Sequence, residues 1–228
     1  MIPKVYIVFH LFLILSAVLN AQDMKVVGDL RARTSLGLVK GITKKLEVFG
    51  ELELGMEQNI SKLGKLHLES GLSYSLLNFL TADAKYRFTE NRKNYSQTYK
   101  YTHMFAIAME AKHKHKRLKS YLRIQYQNID EDIFSFDGMA NNHNLIKTRV
   151  RFKYNLKGLK MTPFLSTEVY GIVGINNFNA TKLKTIGGVG WDFSKHDDLK
   201  IYYRNDKELS HYLPFCYHTM GCSYTYKF

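Results

Sequence analysis

Four bases stand at alternate positions in the stretch LIKTRVRFKYN: Lys147, Arg149, Arg151 and Lys153, with Ile146, Val150, Phe152 and Tyr154 on the other parity. Side chains spaced by two share one face of an extended chain. Lys182, Lys184, Lys200 and Arg204 continue the basic series further along. A wall of Arg and Lys is what an anion-selective pore presents to its solute. The chemistry expected of these residues is attraction and passage of a small anion. Acids occur on the same kind of face, at Glu47, Glu51, Glu53 and Glu168, and Arg31 and Arg33 stand beside the first three. Opposite charges across neighbouring strands stabilise a sheet by about 0.2–1 kcal/mol each. An ion-pair ladder that simply fills the interior is therefore the competing expectation.

Covalent chemistry has weaker support. A lipid hydrolase or acyltransferase would need a nucleophile held beside a base, and the candidates His103, His143, Ser210, His211 and His218 show no spacing that does this. No enzyme activity is expected. The acidic run DEDIFSFD offers Asp130, Asp132 and Asp137 to calcium, but it lacks the glycine turn and closing glutamate of an EF-hand loop. No metal or other cofactor is expected. Cys216 and Cys222 are six residues apart on one strand face, about 20 Å in an extended chain, which is too far for a disulfide.

The elements that must position these residues are strands. In KLEVFGELELGMEQ, Leu46, Val48, Leu52, Leu54 and Met56 share one parity, and Glu47, Glu51, Glu53 and Glu57 share the other. That is period two, with one apolar and one charged face. The pattern repeats in DLRARTSLGLVK, KLHLESGLSYSL, FLTADAKYRF, YLRIQYQN, LKTIGGVGWDF, LKIYYRND and MGCSYTYKF. It is blurred from Phe105 to Lys112 and from Phe164 to Tyr170. Short connections (GITKK, LLN, HKHKR, NLKG, SKHDD) take turns with longer ones. Hairpins of this kind make an all-β, antiparallel, up-and-down transmembrane β-barrel with short periplasmic turns and longer extracellular loops. Eleven segments are countable. Single-chain bacterial barrels have even strand numbers, so twelve strands are expected, with ten as the alternative. MKVVGDLR would supply the extra strand, turning at Gly28-Asp29, unless the N-terminal stretch threads the lumen.

Residues 1–21 read as a signal peptide: Lys4, an apolar run from Val5, then the small residue Ala21. Residues 22–228 would form the barrel. Tyr74, Phe88, Tyr154 and Phe193 close the apolar faces near turns, as an interfacial aromatic girdle does. Tyr224, Tyr226 and Phe228 lie on the lipid-facing parity of the last strand. A terminal aromatic of this kind resembles the signal by which barrels are handed to the assembly machinery and its periplasmic chaperones. The net charge of +13 would suggest nucleic acid in another compartment. On an exported chain, lipid phosphates, lipopolysaccharide and small anionic solutes are the expected partners, and the protein is expected to be a monomer in the outer membrane.

The stretches KKLEVFGELELGMEQNISKLGKLHLESGLSY, YLRIQYQN, TPFLSTEVY, LKIYYRND and YTYKF, taken in order, resemble the outer-membrane β-barrel family catalogued as domain of unknown function DUF2490. The resemblance covers the chain from about Asp29 to Phe228. It implies a barrel without an assigned activity and brings no catalytic or ligand residues. The two cysteines near the end depart from it.

Overall fold

The computed structural model describes residues 28–92, 99–131, 141–173, 178–209 and 216–228. These form strands β1 (Gly28–Gly41), β2 (Leu46–Glu57), β3 (Lys62–Leu77), β4 (Leu80–Arg92), β5 (Tyr99–His115), β6 (Leu118–Glu131), β7 (Asn141–Tyr154), β8 (Met161–Val173), β9 (Phe178–Asp192), β10 (Asp197–Glu208) and β11 (Cys216–Lys227). Each pairs with its neighbours in chain order, and β1 meets β11 to close the barrel. The alternation explains this local choice, because a period-two chain can hide one face only when extended. Closure leaves no strand edge unpaired.

The described barrel has eleven strands, not twelve or ten. The expected turn at Gly28-Asp29 does not occur; β1 runs straight through both residues. The Asp29 carboxylate accepts Arg31 Nε at 2.8 Å and the Asn59 amide at 3.0 Å, which pins this end of β1 to the β2–β3 connection. An odd count makes the first and last strands run the same way. Hence β1 and β11 pair in parallel, from Gly28↔Cys216 to Val39↔Lys227, whereas sequential strands pair antiparallel. The segment proposed as the extra strand, residues 22–27, and the leader at 1–21 lie outside the described residues.

Five connections lie at one end of the barrel, at 42–45, 78–79, 116–117, 155–160 and 193–196; this is the turn end. At the opposite, loop end the connection 58–61 is described, with Gln58, Asn59 and Ile60 all at positive φ.

The two faces are inverted relative to a water-soluble barrel. Outside, Ile107, Ile201, Phe105 and Leu68 are more than half exposed. Inside, the largest fully buried side chains are Gln125, Thr219 and Ser166, with Glu168, Arg204 and Asp206 also buried. A water-facing apolar surface this extensive would cost about 25 cal/mol per Å², and soluble monomers rarely carry one. A bilayer removes that cost, provided the backbone is fully paired, as a closed barrel ensures. Trp191 stacks on Phe193 and Tyr226 meets Phe228 edge-on, both at 4.9 Å, forming an aromatic belt at the turn end. Phe88 and Tyr101 stack at 5.8 Å towards the loop end.

Candidate functional site: the lumen wall

The lumen encloses a cavity of about 430 Å³ whose charged lining comprises twelve Lys or Arg and five Asp or Glu. A row of facing residues crosses six strands of the inner wall: Glu110, Arg123, Arg149, Glu168, Lys184 and Asp206, each the ladder partner of the next, with the last four lining the cavity. Arg149 bonds Glu110 at 2.5 Å, and Glu168 receives Lys184 at 3.4 Å and Lys147 and Arg149 at 3.9 Å. Tyr170 donates its hydroxyl to Glu168 at 2.8 Å and accepts Lys184 Nζ at 2.7 Å. Asp206 takes Arg204 at 3.0 Å and Lys182 at 3.5 Å. On the facing wall Arg33 pairs with Glu53, and Glu69 with Lys85 and Arg87.

The bases expected to stand in surplus are therefore mostly neutralised. Arg149, Lys182, Lys184 and Arg204 are ion-paired as above, and Lys200 meets Asp198 at 3.3 Å. Among the described residues only Arg151 and Lys153 of that set have no carboxylate partner, and Arg151 Nε is buried without a hydrogen bond. Glu51, Glu53 and Glu168 line the cavity. Glu47 does not: it shares their parity but lies exposed at the turn end, because β2 extends past the wall there. The acids that sequence reading missed are Glu110, Asp198 and Asp206. Asp206 was legible from its alternation with Arg204; Glu110 was not, because Ala106 and Ala108 blur the inward face of β5.

The unneutralised charge sits nearer the turn end. Lys114, Lys119 and Lys153 face one another directly across β5, β6 and β7. Like charges so placed destabilise a sheet, so nothing in local pairing accounts for the row. Lys153 also rests 5.7 Å from the Tyr121 ring centroid and lies within electrostatic reach of both Lys200 and Asp198 from across the lumen.

Bulk as well as charge narrows this half. Tyr202 has glycines as both ladder partners, Gly188 and Gly221, and its ring lies where a Cβ at position 221 would be. Phe49 lies over Gly71 in the same way, at 2.5 Å from the position of a Cβ. Gly221→Val is therefore expected to displace Tyr202 and lower stability by about 1–3 kcal/mol, as overpacking does. Denaturant midpoints of the two proteins check this, and an unchanged midpoint would mean that the ring is not wedged.

The other candidates are scattered. His103 and His218 both face outward, on β5 and β11, too far apart around the barrel to act together. Tyr86 OH contacts His103 Nδ1 at 2.6 Å, and Tyr203 bonds His218. The His143 side chain, Ser210 and His211 lie outside the described residues, as do Asp132 and Asp137. Among the described residues no three His, Cys, Asp or Glu side chains group as a metal site would. Cys216 and Cys222 are free, and Asn205 donates to the Cys216 sulfur at 3.1 Å. Tyr224, Tyr226 and Phe228 share the outward face, with Tyr224 OH donating to Asp197 at 2.5 Å.

In sequence, residues 33–211 match the family described as Protein of unknown function (DUF2490). No curated protein matches the chain. Among solved structures, it is similar to the beta domain of the Bordetella autotransporter BrkA, with 9% identity, a TM-score of 0.52, and 77% of this chain and 81% of that one covered. It is more loosely similar to the translocator domain of autotransporter NalP from Neisseria meningitidis, with 12% identity, a TM-score of 0.45 and coverages of 76% and 71%. A third similar chain is the siderophore receptor PirA from Pseudomonas aeruginosa, with 12% identity, a TM-score of 0.34 and coverages of 78% and 35%. At these identities the likeness speaks to the barrel fold alone.

Proposed function

We propose, from the premise that this chain belongs to the DUF2490 family of proteins of unknown function, that it is an outer-membrane barrel acting as a narrow passage for small anions. The protein is an outer-membrane-type β-barrel; its apolar outward face and aromatic belts support placing it in the outer membrane, surrounded by that membrane's lipid. The observation behind the anion preference is the Lys114–Lys119–Lys153 row with Arg151 beside it. A cation row with no carboxylate in salt-bridge contact costs stability and raises the local concentration of anions. The ion-paired centre then acts as a hydrated constriction, polar enough to let an anion pass without holding it.

A salt gradient across a planar bilayer tests this. The refolded protein is expected to open in discrete steps with a reversal potential displaced towards that of the anion. Lys119→Glu with Lys153→Glu should move the potential towards that of the cation. Steps that ignore the charge reversal would remove the row from the mechanism.

One observation favours a second reading, a structural barrel with a filled lumen. Tyr202, Phe49 and the Glu168 and Asp206 ion pairs occupy much of the interior, which is the arrangement of a plugged wall. A protein that inserts and stays silent in the bilayer would favour it. No catalysis is proposed for either reading.

A further inference from the structure

Outside the lumen, the turn end carries a second cavity of about 360 Å³, between the β5–β6 turn and the β7–β8 connection. Its wall combines Arg117, Lys157 and Lys160 with Leu156 and Leu159. The Asn155 amide donates to Arg117 O at 3.0 Å and thereby ties the two connections together. The connection folds on itself through Leu159 N to Leu156 O at 3.4 Å, with Gly158 at φ 77 making the reversal that a side chain would disfavour. Lys160 spends one of its three donors on Phe193 O at 2.9 Å, leaving two for a ligand. None of the three cations has a salt-bridge partner among the described residues.

The surroundings say what kind of anion fits. Phe193 stacks on Trp191, whose ladder partners are Met161 on β8 and Leu199 on β10. All of this is in the aromatic belt, at the level where headgroups meet chains. Leu159 is 57% exposed, a cost in water that a neighbouring acyl chain would relieve. A freely soluble anion would have no use for the leucines, and an apolar ligand none for the three cations.

We propose that this cavity is a headgroup site for an anionic phospholipid. The Arg117 guanidinium takes the phosphate in bidentate fashion, Lys157 and Lys160 complete its coordination, and the acyl chains descend over Met161 and Trp191. The inference rests on the barrel's insertion in a bilayer and is independent of whether the lumen conducts.

Native mass spectrometry of the refolded full chain in detergent tests it, with phosphatidylglycerol and phosphatidylcholine as the probes. Juxtamembrane cations favour acidic lipid, so phosphatidylglycerol should be retained about tenfold or more over phosphatidylcholine. Arg117→Gln with Lys157→Gln should abolish most of that preference. Lys44→Gln with Lys45→Gln removes the same charge from the exposed β1–β2 turn and should leave the preference intact. Trp191, the sole tryptophan, gives a second readout, with an emission change on adding phosphatidylglycerol that the first variant lacks. Heat-modified electrophoretic mobility establishes that each variant is folded. Equal retention of the two lipids by the wild type would overturn the proposal. So would an equal loss in both variants, which would reduce the effect to general rim charge. Displacement of the lipid by equimolar inorganic phosphate would assign the site to the free ion and overturn the lipid assignment.

Discussion

Glu168→Ala is expected to cost the folded barrel about 3–5 kcal/mol, the range found when one partner of a buried ion pair is deleted. Glu168 is 5% exposed and is the common acceptor for Lys147, Arg149 and Lys184, while Tyr170 donates to it at 2.8 Å. Removing its carboxylate leaves Lys147 on β7 and Lys184 on β9 without their acid on the strand between them and leaves Arg149 with Glu110 alone, with Tyr170 having lost its acceptor. Glu168→Gln keeps an acceptor for Tyr170 but not the charge, so its loss should be smaller than that of the alanine variant. Combining Glu168→Ala with Lys184→Met removes one of the stranded cations and should recover part of the loss, a non-additivity expected of residues in one network. Guanidinium unfolding in lipid vesicles measures all three. A Glu168→Ala barrel as stable as the wild type would mean that lumen water and counter-ions already neutralise those cations, and the wall would have to be redrawn as a wet surface.

That network shows where sequence reading stops. The period-two faces of β2, β3 and β7 were plain because most inward positions there are charged or polar and most outward ones apolar, with Phe49, Ser70 and Thr148 as exceptions. Such strands reveal their register without a partner. Glu168 was assigned to the charged face although it lies in the blurred stretch from Phe164 to Tyr170. β5 was opaque because its inward face carries Met104, Ala106 and Ala108, and small or apolar side chains suit either face of the wall. Glu110, the partner of Arg149 at 2.5 Å, was lost with it. Lys114 looked like turn charge in HKHKR, and Lys119 falls between that turn and the legible segment YLRIQYQN. Their place in a facing row depends on β5 running on to His115, a fact about hairpin length that composition does not encode.

Strand number failed for a different reason. Parity and turn spacing gave eleven segments, and the even-number expectation then displaced the direct count. The rule follows from antiparallel closure, in which the first and last strands run oppositely. Here β1 and β11 run parallel over twelve paired positions, and β1 is straight at the two residues where an extra turn was needed. Gly37, whose Cβ would meet Thr225 at 3.1 Å, lets the two strands pack closely at that seam. The closure is a matter of pairing between the ends of the chain, which no local pattern reports.

Ile107→Arg tests the premise beneath every functional reading, that the outward face meets lipid. Ile107 is the middle residue of β5 and is 62% exposed, with Ala84 and Tyr126 as its ladder neighbours. An arginine at the midplane of a barrel's lipid face costs about 2–4 kcal/mol, and the cost falls towards zero near the interfaces. The same substitution at Tyr101, three outward positions nearer the loop end on the same face, should therefore cost about 0–1 kcal/mol. Folding free energies in bilayers of matched thickness give both values. The difference between them is the decisive quantity, because strand propensity and lost packing affect both sites whereas depth affects only one. A difference of 2 kcal/mol or so would fix the apolar band at the centre of β5, with the Lys114–Lys119–Lys153 row and the Arg117 cavity both towards one interface. Equal costs at the two positions would mean that the band is not at bilayer depth. The lumen would then have no two compartments to connect, and the cavity at the turn end no headgroup to hold.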